Sequence, residues 1–161
     1  MVFGMTTFTF IHVVVSLVGI GSGLVVLAGL LTGKRLDGWT ALFLATTVAT
    51  SVTGFGFPFF GFLPSHGVGI VSLVVLAVAI VARYVQHLAG AWRWVYAAAA
   101  VVALYLNVFV LIVQLFRKVP ALAATAPTQS EPPFLVTQLV VMALFVMLAI
   151  AAPKTFRPGP A

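Results

Sequence analysis

Apolar residues run along this chain in five long stretches, at about residues 7–31, 39–62, 66–85, 94–116 and 134–152, separated by short polar or proline-rich breaks. A bilayer core of about 30 Å needs about 20 helical residues to cross it, and lipid leaves no backbone group unpaired, so each stretch predicts a transmembrane helix. The first ends in Thr32-Gly33-Lys34-Arg35-Leu36-Asp37-Gly38, a polar turn with a glycine on either side. The end of the second, residues 54–62, mixes glycine and proline with five phenylalanines and is expected to distort or stop the helix near the surface. Residues 63–67 then read as a tight turn, with Ser65 as a candidate N-cap for the third helix. Trp92, Trp94 and Tyr96 open the fourth as an aromatic belt. The proline-rich stretch 119–133 reads as the longest loop, and 153–161 as a short tail. The expected fold is an all-α polytopic transmembrane bundle of about five helices, forming one domain over 1–152 without internal repeats.

Composition strengthens this pattern. The 161 residues are 63% hydrophobic and 6% charged, too apolar for a water-soluble domain of this length, so the bilayer is the first partner implied. The charged residues fall near the ends of the apolar runs, where their heads are expected to reach the interface. The net charge of +6 is scattered in pairs at membrane borders rather than gathered on one polar face, which argues against nucleic acid. Without cysteine there is no disulfide, thiolate metal site or cysteine nucleophile. Residues 1–10 carry no lysine or arginine, and the run after them is about twice the length of a signal-peptide core, so it reads as a retained first helix. With the N-terminus outside, Lys34, Arg35, Arg83, Arg93, Lys154 and Arg157 lie inside and only Arg117 and Lys118 outside, which favours N-out and C-in.

Helical spacing of about 100° per residue aligns His12, Ser16, Gly19 and Gly23 on the first helix. Gly19 and Gly23 form a small-xxx-small pair, a face for a neighbouring helix or for a second copy of the chain. Tyr96, Ala100, Ala103, Asn107 and Gln114 share a stripe of the fourth helix, and Thr46, Thr50 and Thr53 one of the second. The threonines can satisfy themselves on their own backbone carbonyls. In the N-out topology His12, His66, Gln114 and Gln138 all fall near the outer ends of their helices, with Asn107 about two turns deeper. His87 is at the opposite end. Each also has a plainer reading: His66 as a solvated interfacial residue, His12 as a packing hydrogen bond, and Asn107, Gln114 and Gln138 as interhelical glue.

Three functions are compatible with these residues. A structural or accessory membrane subunit needs only few charges, small residues and short loops. A redox subunit would use His12 and His66 as axial ligands of a b-type haem, or as hydrogen-bonding partners of a quinone, with Gln114, Gln138 and Asn107 completing the polar cluster. A small neutral-solute transporter or channel would use a threonine, asparagine and glutamine path without a buried charge. An enzyme is disfavoured, since Asp37 and Glu131 are the only carboxylates, in loops on opposite sides. From His12 through Gly33-Lys34-Arg35-Leu36-Asp37-Gly38 to Thr53-Gly54-Phe55 and Pro64-Ser65-His66, the first half of the chain resembles small uncharacterised bacterial inner-membrane families. Those open with a histidine in helix one, have a basic turn before helix two and place another histidine at the start of helix three. Lys34 stands where such families often have histidine. The resemblance implies a bacterial cytoplasmic (inner) membrane and no established activity.

Overall fold

A computed structural model of the chain describes residues 4–58 and 64–157. Among them the regular structure is helical: α1 (Thr7–Leu31), α2 (Asp37–Gly54), α3 (Pro64–Ile80) continued by a π-turn (Val81–Val85), α4 (Trp92–Lys118), α5 (Pro120–Thr125) and α6 (Pro132–Thr155). The helices α1, α3 with its π-turn, α4 and α6 are long and apolar enough to cross a bilayer. With that many spanning-length apolar helices, this is a membrane protein.

The first four long helices close a ring in which α1 meets α2, α2 meets α3, α3 meets α4 and α4 returns to α1, while α6 packs against both α4 and α1. Small residues permit the close approach. Gly19 and Gly23 are buried in α1, and a Cβ on Gly23 would lie 2.6 Å from Leu104 Cδ1 and 2.9 Å from the Phe43 ring. The Gly19/Gly23 face is therefore filled by α2 and α4 of the same chain, not by a second copy. From α4, Ala97, Ala100 and Ala103 face the core beside Phe43, Leu76, Val101 and Leu104. The outside is apolar in its turn: Val74, Val140 and Met147 are about three-fifths exposed, as lipid-facing positions are.

Several boundaries differ from those expected. Within the described residues α2 ends at Gly54, where the Gly-Phe-Gly-Phe-Pro run begins, while residues 59–62 lie outside the described part. Its 18 residues span about 27 Å. The 119–133 stretch is not all loop, because Pro120 at the first helical position starts the short α5. In α6, Pro153 lies inside the last turn and the helix continues to Thr155, so the tail begins later than 153. There the Thr155 hydroxyl donates to the Leu30 carbonyl at 3.0 Å and ties α6 to the end of α1.

Candidate functional site

Polar chemistry gathers at the two ends of the bundle. At the end where α1 and α3 finish and α2 and α4 begin, α1 closes with Gly33 at φ +70°, so that Lys34 N donates to the Gly29 carbonyl at 2.8 Å and Gly33 N to the Leu30 carbonyl at 3.3 Å. This left-handed glycine cap turns the chain back over α1 and aims Lys34 and Arg35 at the head of α2. Opposite, the last turn of α3 widens into the π-turn, with Gln86 N donating to the Val81 carbonyl at 2.9 Å. The widened turn leaves Tyr84 and Val85 outside and carries Arg83 inward, where its side chain is 2% exposed.

Arg83 ion-pairs with Asp37, and the same carboxylate oxygen accepts from Arg35 Nε at 2.8 Å. The guanidinium carbon of Arg83 is 5.1 Å from the Tyr96 ring centre and 5.7 Å from that of Tyr84, within cation–π range. Tyr96 is buried as well; its hydroxyl is 3.4 Å from Thr40 Oγ1 and its ring 5.8 Å from that of Phe156. Asp37 lies outside the four spans. The Arg35 hydrogen bond above all, with the charges of Arg83 and Arg35, holds its carboxyl below the usual carboxylate range against the smaller effect of burial.

At the other end, His12 Nδ1 is 2.7 Å from Thr53 Oγ1 on α2, and the imidazole meets the Phe57 ring edge-on at 5.0 Å. The Thr53 hydroxyl has one proton and gives it to the Ala49 carbonyl at 2.7 Å. It therefore accepts from His12, whose Nδ1 carries a proton; in the neutral imidazole this leaves the lone pair on Nε2. His66, at the start of α3, is buried and lies nearly parallel to the Phe55 ring, with centres 5.8 Å apart. Gly69 leaves the room, since a Cβ there would be 3.1 Å from Phe55 Cζ. The two histidines thus flank the last turn of α2, one from α1 and one from α3.

The remaining predicted residues separate. Asn107 Nδ2 donates to Thr47 Oγ1 at 3.2 Å, and Gln138 Nε2 to the Phe109 carbonyl at 3.2 Å. Gln114 is exposed and leaves the inward stripe, which holds for Tyr96, Ala100, Ala103 and Asn107. Among the described residues no hydrogen bond joins any two of His12, Asn107, Gln114 and Gln138. The α2 hydroxyls behave as their spacing predicts: Thr46, Thr50 and Thr53 bond carbonyls four residues back, and Ser51 Oγ reaches Ser72 Oγ on α3 at 3.0 Å.

Three further readings are corrected. His66 is 5% exposed, so it is not a solvated interfacial residue. Arg83 is no interfacial head but a buried cation, and Tyr96 leaves the aromatic belt to face it. Arginine near the end of an apolar run reads as a side chain extended to water; only the π-turn, which no residue pattern announces, turns it inward. Comparison with family profiles, curated proteins and solved structures finds no match to this chain.

Proposed function

We propose that this chain is a multi-pass protein of the bacterial cytoplasmic membrane, N-terminus outside and C-terminus inside, that serves as a structural or accessory subunit of a larger membrane assembly. Membership of the small bacterial inner-membrane families that its first half resembles belongs to the same proposal. The observation that carries it is the use to which interior polar groups are put. His12–Thr53, Asn107–Thr47, Ser51–Ser72 and Gln138–Phe109 each tie one helix to another. In lipid such ties supply specificity that apolar packing lacks. The lightly covered α6, whose Leu139, Val140 and Met147 face outward, offers a side for lipid or a neighbouring subunit. The test is native electrophoresis of host membranes in mild detergent, with and without the chain. The proposal expects one larger complex to be lost or shifted; an unchanged pattern of complexes contradicts it.

A second reading rests on the free Nε2 of His12. An imidazole oriented by a hydrogen bond at Nδ1, with the other nitrogen left basic, is the arrangement metal-ligating histidines adopt. With His66 across the same turn, it supports a b-type haem, or a quinone head group held by hydrogen bonds, at that end of the bundle. A neutral-solute path has weaker support, because the threonine and asparagine groups it would use are bonded to other helices or to their own carbonyls.

A further inference from the structure

The end of the bundle built around Arg83 carries more positive charge than its own carboxylate answers. Lys34, Arg35 and Arg83 line one narrow crevice with Thr40, Tyr96 and Phe156. Among the described residues Asp37 is the one acidic group there, and a single oxygen of it serves both arginines. Three cations against one carboxylate leave a surplus of two.

The donors are also underused. A guanidinium has five N–H groups, and those of Arg83 are shared between Asp37, reached through one nitrogen, and the side chain of Tyr96. That cation is not placed by chance: the π-turn aims it, the two tyrosine faces hold it, and burial keeps competing water away. Lys34 and Arg35 are exposed on the glycine-capped turn at the mouth, Arg35 held there by its bond to Asp37. The crevice lies at the border of four spans, the level at which lipid phosphates lie.

We infer that Lys34, Arg35 and Arg83 form a binding site for a phosphate group, with Asp37 holding the arginines in register while the site is empty. A phosphate offers three or four acceptor oxygens in a geometry that matches paired guanidinium forks, which the single carboxylate oxygen does not. Basic recesses between transmembrane helices take the head groups of anionic lipids in this way. Lys34 and Arg35 move outward to admit the group, because the crevice as it stands is too narrow for a water molecule. The same chemistry is met by a phospholipid phosphate or by free inorganic phosphate. The site does not depend on which side of the membrane this end faces, nor on the subunit role proposed above.

The test uses the full chain, delipidated in a neutral detergent, with binding read by native mass spectrometry and by thermal shift. The probes are cardiolipin, phosphatidylglycerol, phosphatidylcholine and inorganic phosphate. Binding of cardiolipin or phosphatidylglycerol over phosphatidylcholine, weakened at least tenfold in the Lys34→Gln/Arg35→Gln variant, supports a lipid phosphate as the ligand. Stabilisation by inorganic phosphate with the same sensitivity to that variant supports the site with a soluble source. The comparison variant, Arg93→Gln/Lys154→Gln, removes two exposed or partly exposed charges at the same end that do not line the crevice, and is expected to bind as the unaltered protein does. Equal weakening in both variants would show diffuse charge attraction and overturn the site. So would unchanged affinity in the Lys34/Arg35 variant, or the absence of any effect of inorganic phosphate together with no preference for cardiolipin or phosphatidylglycerol over phosphatidylcholine. Both positions altered in the first variant are exposed, so folding is not at risk, and an unshifted melting curve without ligand checks this.

Discussion

Arg83 shows what a single residue costs and contributes here. Its buried charge is tolerable only while Asp37 answers it, and removing one partner of such a pair is worse than removing both. Asp37→Asn is therefore expected to lower stability by about 1–2 kcal/mol in lipid-free detergent, a figure reduced from the fully buried case because the Asp37 side chain is 66% exposed. Arg83→Met, which keeps the apolar stem, costs less, and the double variant recovers part of the Asp37→Asn loss. Thermal unfolding of the three proteins checks this; a double variant less stable than either single one contradicts it. The same carboxylate sets a dependence on pH. Its folded-state pKa lies below the unfolded value, so its stabilisation is fully present above about pH 4 and is lost as pH falls further through the folded pKa. Melting temperature is expected to fall below about pH 4, and to fall less steeply in Asp37→Asn.

At the scale of elements, the contact between α1 and its neighbours turns on glycine. Gly23→Ala would drive a methyl into Leu104 and Phe43, both buried, and is expected to cost about 1–3 kcal/mol. Gly21→Ala, two residues away with nothing within 4 Å of its Cβ, is expected to be neutral or slightly stabilising, because alanine is the better helix former. Equal effects of the two substitutions, measured by unfolding in detergent, would mean that α1 is packed some other way. This glycine face was legible from spacing, as was the alignment of the α2 threonines, because both follow from helical periodicity alone. Which neighbour covers a face does not follow from periodicity, and Gly19 and Gly23, which suit a second copy equally well, are taken by α2 and α4. Proline and glycine announced the breakdown near 54–58, whereas Pro120 and Pro153, both read as lying outside helices, are helical. The first begins a helix because a first-turn N–H needs no partner, and the second lies so near a helix end that few bonds are lost.

For the whole molecule, length and hydropathy determined the all-α membrane architecture, since few folds bury so apolar a chain. The candidate site was less legible. His12, His66, Asn107 and Gln138 were singled out by polarity in an apolar setting, and the structure gives His12 and Asn107 separate partners on α2 and gives Gln138 a carbonyl of α4. Gln114 shared their spacing but is exposed, although Ile112 and Phe116 on either side of it are buried. Arg83 was passed over because the rotation introduced by the π-turn has no signature in residue type.

The interior polar groups His12, Ser51, Asn107 and Gln138 tie helices together. The most direct measurement is the visible spectrum, oxidised and dithionite-reduced, of the protein purified in mild detergent from haem-supplemented cells, beside His12→Ala and His66→Ala. The tying role predicts a flat spectrum under saturating haem, with His12→Ala still inserted in the membrane but less stable by about 1 kcal/mol for the lost tie to Thr53. A Soret band with a sharp reduced α-band, absent from both variants, would contradict it and make the two histidines the axial ligands of a haem.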